Sequence, residues 1–221
     1  MGLSRQDLKL ATGGWEILKR NLDRIVSLTM NMLAFSRQMT LELELTKLGP
    51  LVEECAELFE TRCAEKEVAL IVDSDPEMPP IAIDQNMVHQ AVVNLLGNAV
   101  EAVEPKTGAI TVKVLFHEVE PGEVGTPTAE ISVLDNGPGI PRDRLKWIFE
   151  PFHTTKGLRG TGLGLAVTKR IIDEHQGRIR VETKVGQGSA FRVFLPADLD
   201  SRHDPSATAE DNIARNRLNE L

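Results

Sequence analysis

Residues 84–102, DQNMVHQAVVNLLGNAVEA, carry two patterns at once. Val88, Val92, Leu95, Leu96 and Val100 fall three and four apart, which predicts an amphipathic helix to about Val103 with Asp84 as its N-cap. Gln90, Asn94 and Asn98 recur every four residues, which stacks three amides along one stripe of that helix. Such a ladder is either a polar face turned to solvent or a wall that meets a ligand. Amides buried at consecutive turns are costly unless something binds them. Amide oxygens and amide donors together suit a hard cation held against phosphate oxygens.

The flanks of this helix set the fold class. Before it come an apolar strand, Val68–Val72, a turn over 73–80 and a short strand, Ile81–Ile83. After it, Ala109–His117 and Ala129–Leu134 alternate as strands on either side of a loop, 118–127. Leu163–His175 reads as a helix, and Arg178–Thr183 and Ala190–Leu195 as a closing hairpin around Gly186-Gln187-Gly188. These helices cannot all be simple crossovers, so the expected class is α+β: one mixed sheet with helices on one face. Upstream, Pro50 opens a helix to about Glu67 that buries Leu51, Cys55, Leu58 and Phe59. Trp15, Leu18, Leu22, Ile25, Thr29, Met32, Ser36 and Met39 step by three and four, and Val26 and Leu33 widen that face to suit a helix bundle. Gly13-Gly14 stops any helix running in from the N-terminus, and residues 40–49 read as a linker. The expected division is a leader (1–14), a long helix with its linker (15–48), a globular domain (49–197) and a polar tail (198–221).

Two glycine-rich segments follow. Asp135-Asn136-Gly137-Pro138-Gly139 leaves a strand directly. That arrangement is either a plain strand-ending turn or a carboxylate beside backbone that approaches a ligand. Gly160-Thr161-Gly162-Leu163-Gly164-Leu165 opens a helix whose free amides favour an anion. It does not follow a strand, which disfavours a Rossmann fingerprint, and it lacks the Gly-Lys-Ser/Thr of a phosphate loop. Between the two, residues 141–170 hold Arg142, Arg144, Lys146, Lys156, Arg159, Lys169 and Arg170 against Asp143 and Glu150. This local basic excess suits a polyphosphate. Phe149-Glu150-Pro151-Phe152 reads as apolar anchors, His153-Thr154-Thr155-Lys156 as donors, and Gly157 and Gly160 as hinges of a lid.

Composition narrows the classes further. The 221 residues are 41% hydrophobic and 26% charged, enough for a packed core. A net charge of −8 argues against a nucleic-acid or membrane-surface binder. Aromatics are 4% with no tyrosine, so base-stacking platforms are not expected. Cys55 and Cys63 lie eight apart in a helix, about 12 Å at ~1.5 Å per residue, too far to bridge. No transmembrane stretch or apolar signal core is present, and the chain reads as cytoplasmic.

The series HQAVVNLLGNAVEA (89–102), DNGPGI (135–140), FEPFHTTK (149–156) and GTGLGLAV (160–167) resembles, in order and spacing, the four boxes of sensor histidine kinase ATP-binding domains. The Asn-Ala-Val-Glu-Ala and Pro-Phe-His-Thr-Thr-Lys forms are most similar to the nitrogen-regulation type, and EHQGRIRVETKVGQGSAFRVFLP (174–196) resembles the family's last helix and strands. The resemblance covers residues 50–197. Residues 15–39 resemble the second helix of the family's dimerisation and phosphoacceptor hairpin. The resemblance implies the two-layer sandwich of the GHKL (Bergerat) ATPases and phosphoryl transfer from MgATP to a histidine in two-component signalling. Asn94 and Asn98 would hold Mg²⁺ and phosphates. Asp135 would accept from the adenine amine, with Gly137, Gly139 and Ile140 shaping that pocket. Thr155 and Lys156 would lie in the lid. Gly160, Thr161, Gly162, Leu163, Gly164 and Leu165 would bring backbone to the phosphates. Gln90 stands where related ATPases keep a water-activating Glu; a Gln is a poor base, which favours transfer over hydrolysis.

Two departures bear on the reaction. Many relatives carry Lys or His where this chain has Glu101, so a phosphate-binding cation must come from elsewhere, Lys156 or Arg159. The family's acceptor is a His followed by an acid and then Pro. His89, His117, His153, His175 and His203 all lack that context. The chain thus reads as a truncated kinase, or a stand-alone module acting on another chain, that does not phosphorylate itself. The expected partners are ATP or ADP, a histidine-bearing helix, a receiver domain and a second copy through residues 15–39. The competing readings are an anti-sigma-type Ser/Thr kinase and a nucleotide-dependent binding module on the same fold.

Overall fold

The computed structural model describes residues 40–119, 125–154 and 161–197, with helical positions at Gly14, Trp15, Leu18 and Leu22. In chain order the elements are β1 (Glu44–Thr46), α1 (Leu48–Glu65), β2 (Ala69–Ser74), β3 (Ile81–Ile83), α2 (Gln85–Ala102), β4 (Ala109–His117), β5 (Thr128–Asp135), α3 (Arg142–Leu145), α4 (Gly164–Glu174), β6 (Arg178–Lys184) and β7 (Gly188–Pro196). Five strands form one sheet in the order β2-β4-β5-β7-β6. Only β2 and β4 run parallel, and α2 lies in the crossover such a pair requires. The remaining neighbours are antiparallel.

The expected sandwich is present. Ile110, Val112 and Val114 of β4, Ala129, Ile131 and Val133 of β5, and Val193 and Leu195 of β7 share one core with the apolar stripes of α1, α2 and α4. Along α2 that stripe is Val88, Ala91, Val92, Leu95, Leu96, Ala99 and Val100, all buried. Each large aliphatic side chain contributes roughly 1.5–3 kcal/mol on burial, so the stripe fixes the helix's rotation and leaves the amide ladder no choice of direction. Asp84 caps α2 by accepting from Met87 N–H at 3.0 Å.

Asp84 is also a joint. Its backbone N–H donates to His175 Nε2 at 3.0 Å, and His175 Nδ1–H donates to the Ile171 carbonyl at 2.7 Å. His175 is 1% exposed and ends α4, so it ties the last turn of α4 to the first turn of α2. The second carboxylate oxygen of Asp84 accepts from Glu42 N–H at 3.1 Å.

Four details differ from the sequence reading. Residues 40–49 are not a plain linker: Glu44–Thr46 forms β1, antiparallel to β3 in a separate two-stranded ribbon. Three residues are too few for alternation to be told from a loop. Helix α1 starts at Leu48, and Pro50 fits its third position because the first N–H groups of a helix have no internal partner. Leu58 is 61% exposed, off the stripe of Leu48, Leu51, Val52, Cys55, Ala56 and Cys63. Helix α3 lies where no periodicity was visible. Of the long N-terminal helix, Trp15, Leu18 and Leu22 are exposed, and the rest of 16–39 lies outside the described residues, as does 198–221.

Both cysteines are buried and unpaired. Burial, with Glu54 nearby, pushes the Cys55 thiol up to about 12, as expected of a structural residue.

The open face of the sheet carries a buried carboxylate. Glu130 is 5% exposed and hydrogen-bonds to Ser132 Oγ, Arg192 NH1 at 2.9 Å and His117 Nε2 at 2.7 Å. Burial alone would raise its pKa, but these hydrogen bonds outweigh it and hold it below the ordinary value. A lowered carboxylate stabilises the fold above its unfolded pKa and loses that contribution as pH falls through the folded value. Glu130→Gln is therefore expected to lower stability at pH 7 by on the order of 1–3 kcal/mol. The gap between parent and variant melting curves should shrink steadily below about pH 4, where a constant gap would mean the charge plays no part.

Candidate functional site

A cleft of about 610 Å³ opens between α2, the segment after β5, α3 with the residues that follow it, and the start of α4. Asn94, Asn98, Asp135, Gly139, Ile140, Thr161, Gly162, Gly164 and Leu165 all line it. Residues 71 positions apart in the chain thus meet in one cavity.

One end is built on Asp135. The last pair of the β5–β7 ladder is Asp135 with Ser189, and Ser189 and Phe191 line the cleft beside it. The Asp135 carboxylate accepts from Gly137 N–H at 2.8 Å. Burial raises its pKa, partly offset by the backbone N–H groups of Gly137 and Ser189. The result is a carboxylate in apolar surroundings, suited to accept from a donor on a flat ligand.

The loop behind it is braced by the β6–β7 hairpin. Gly186 N–H donates to the Pro138 carbonyl at 2.8 Å, and Ile140 N–H donates to Thr183 Oγ1 at 2.8 Å. Thr183 in turn donates to the Gly188 carbonyl at 2.9 Å. Gly139 sits at φ +71°, and a Cβ there would lie 2.3 Å from the Lys184 carbonyl oxygen. Thr183, Ser189 and Phe191 went unnoticed in the sequence because their contacts to the loop cross more than 40 residues; only the Gly186-Gln187-Gly188 turn hinted at them.

The other end is built on glycine backbone and amides. Gly162 sits at φ +66°, and a Cβ would fall 2.5 Å from Phe152 C and 2.8 Å from His153 N. Phe152 N–H donates to the Gly162 carbonyl at 2.9 Å, so the two loops lie flat on each other. Asn94 Nδ2 donates to the Gly164 carbonyl at 3.3 Å, leaving the amide oxygen as that side chain's acceptor.

Other expected residues fall elsewhere. Gln90 is half-buried but does not line the cleft, so the ladder contributes two amides rather than three. Gly137 is buried behind Asp135, and Leu163 is 1% exposed, inside the core. Thr155, Lys156, Arg159 and Gly160 lie outside the described residues. Phe152 is 67% exposed with φ 66°, so it is no anchor, whereas Phe149 packs against the core. The basic patch also divides. Lys169 and Arg170 pair with Asp173 and Glu174 along α4, while Arg144 lines the cleft. Trp147 lines it too, its ring 5.2 Å from that of His153, and His153 lies 3.3 Å from Glu150.

Comparison with known proteins agrees with this geometry. The family described as histidine kinase-, DNA gyrase B-, and HSP90-like ATPase matches residues 83–199. The chain belongs to this family. AtoS, a signal transduction histidine-protein kinase of Escherichia coli K12, is 36% identical over 180 residues, covering 81% of this chain and 28% of AtoS. Full-length ShkA in complex with AMPPNP superposes with a TM-score of 0.70 at 27% identity, over 89% of this chain and 40% of ShkA. Histidine kinase ThkA in complex with the response regulator TrrA gives 0.66 at 28%, over 84% of this chain and 51% of that one. The chain thus spans less than a third of AtoS and about half or less of the two structures. The α+β sandwich and the resemblance to sensor histidine kinases are both borne out. No described helix is long and apolar enough to cross a membrane.

Gly162 gives a direct test of the loop contact. Gly162→Ala places a methyl against backbone at a positive φ, so the loop must move. The expected outcome is loss of ligand binding in the cleft, with a melting temperature lowered by only a few degrees because the site lies at the edge of the core. Unchanged binding would show that the glycine is dispensable.

Proposed function

We propose that this chain is the ATP-binding catalytic part of a sensor histidine kinase, moving the γ-phosphoryl of ATP to a histidine on a dimerisation-type hairpin. The observation that carries this reading is the single cleft that joins the Asp135 end to the Asn94–Gly164 end. A half-buried acceptor at one end and cleft-lining glycine backbone and amides at the other match a base and a phosphate chain.

In this reading Asp135 accepts from the adenine amine, Gly139 and Ile140 shape the pocket around the ring, and Gly137 holds the Asp135 carboxylate from behind. Thr161, Gly162, Gly164 and Leu165 approach the phosphates, and Gly160, Thr155 and Lys156, which lie outside the described residues, are the further candidates for that end. Asn94 and Asn98 hold the phosphates and Mg²⁺. Among the described residues no cluster of three His, Cys, Asp or Glu could hold a metal by itself. An ion here would rest on amide and phosphate oxygens, which suits a small hard cation that keeps part of its water shell. Mg²⁺, when bound, offsets phosphate charge as transfer proceeds. The protein's share is positioning. Gln90 next to the ladder offers no carboxylate to activate water, which favours transfer over hydrolysis.

The histidines support an acceptor on another helix. His175 has both ring nitrogens engaged in the core, and His117 is bonded to Glu130 on the open face of the sheet. We place the ATP-binding domain at residues 49–197, with β1 packing onto it from just upstream. Residues 15–48 would carry the second hairpin helix, whose exposed Trp15, Leu18 and Leu22 would face a second copy or the histidine-bearing helix. A receiver domain would take the phosphoryl onward, and the whole would work in the cytoplasm.

Asp135→Asn is expected to cost on the order of 2–4 kcal/mol of ATP binding without unfolding the chain, because it presents a donor to a donor. Calorimetry showing affinity within about threefold of the parent would remove Asp135 from the base contact. The raised Asp135 pKa adds a pH test. The accepting form exists above that pKa, so ATP affinity should begin to fall at a higher pH than an ordinary carboxylate would give. With γ-labelled ATP the 221-residue chain alone should gain no acid-labile phosphate, and should label an added histidine-bearing hairpin. Label on the chain alone, lost in His153→Ala, would overturn the acceptor assignment.

A further inference from the structure

The described walls of the cleft carry two acids, Glu101 and Asp135, and among the described residues Arg144 is the only lysine or arginine that lines it. Glu101 lies 3.6 Å from Arg62, so part of its charge is answered from outside. Asp135 is half-buried, and the backbone N–H groups of Gly137 and Ser189 face its carboxylate. Arg144 is thus the described lysine or arginine that offsets these acids toward a polyanion. No ion pair holds the Arg144 side chain among the described residues, and the residue is exposed. Lys146, two positions on, does not line the cleft, and Lys169 is committed to Asp173.

The backbone fixes which part of the cleft Arg144 serves. It sits in α3, and the turn closed by Trp147 N–H on its carbonyl, at 3.1 Å, carries the chain to Trp147. Trp147 packs on His153, and His153 lies against Gly162. This wall therefore links Ile140, through Arg144, Trp147 and His153, to the glycine end of the cleft.

We propose that Arg144 is the cation of the described cleft that binds the phosphate chain of the nucleotide. This rests on the reading of the cleft as an ATP site. A guanidinium meets two phosphate oxygens at once and remains charged at all working pH values, which a lysine matches only as a point charge.

The test is calorimetric binding of ATP, ADP and adenosine to the parent chain, Arg144→Ala and Arg144→Lys, with melting curves as a folding control. Arg144→Ala should weaken ATP and ADP by about tenfold or more and leave adenosine within about twofold. Arg144→Lys should fall between, and added salt should narrow the gap between parent and Arg144→Ala. Unchanged ATP affinity, or equal loss for adenosine, would overturn the assignment while leaving the ATP site standing. A parent chain that binds neither ATP nor ADP would overturn both.

Discussion

Helix α2 has to serve as core and as wall together, and the rest of the domain follows from that constraint. Its buried valines and leucines lock it against α1, α4 and β5. The rotation this imposes turns Asn94 and Asn98 to the cleft and puts Gln90 outside it. A helix free to roll would present neither wall. The apolar stripe, each member contributing roughly 1.5–3 kcal/mol, outweighs any preference of the amides, so the site is oriented by the core.

The two glycine-rich loops are then held against that helix by backbone. The Asp135 loop is braced by the β6–β7 hairpin through Thr183 and Gly186, and the Gly162 loop by the backbone of Phe152. His175 joins the ends of α4 and α2, so the helix that begins after the second loop and the helix that carries the amides move as one unit. Such bracing limits the freedom lost on binding, which is where preorganised sites gain affinity.

The parts legible in the sequence were those written in local periodicity. The α2 stripe, the Asp84 cap, the alternation of β4 and the end of β5 at Asp135 all come from spacing of three, four or two. The four boxes pointed to Asn94, Asn98, Asp135 and Gly162, which meet in the cleft, because their order along the chain is itself a strong pattern. What escaped was either too short or too distant. β1 has three residues, α3 has four, and Thr183 acts on Ile140 across 43 positions. The basic patch was legible only in part, for another reason. Counting charges along 141–170 cannot show that Lys169 and Arg170 are taken up by acids one helical turn away, while Arg144 faces the cleft.

The central claim is that one cleft holds a nucleotide in one direction, base to Asp135 and phosphates to Asn94 and Gly162–Gly164. The most direct measurement is a crystal structure of the chain with a non-hydrolysable ATP analogue and Mg²⁺. The account predicts the adenine amine on the Asp135 carboxylate and the phosphates between α2 and the start of α4. A nucleotide bound in the reverse direction, or outside this cleft, would contradict it.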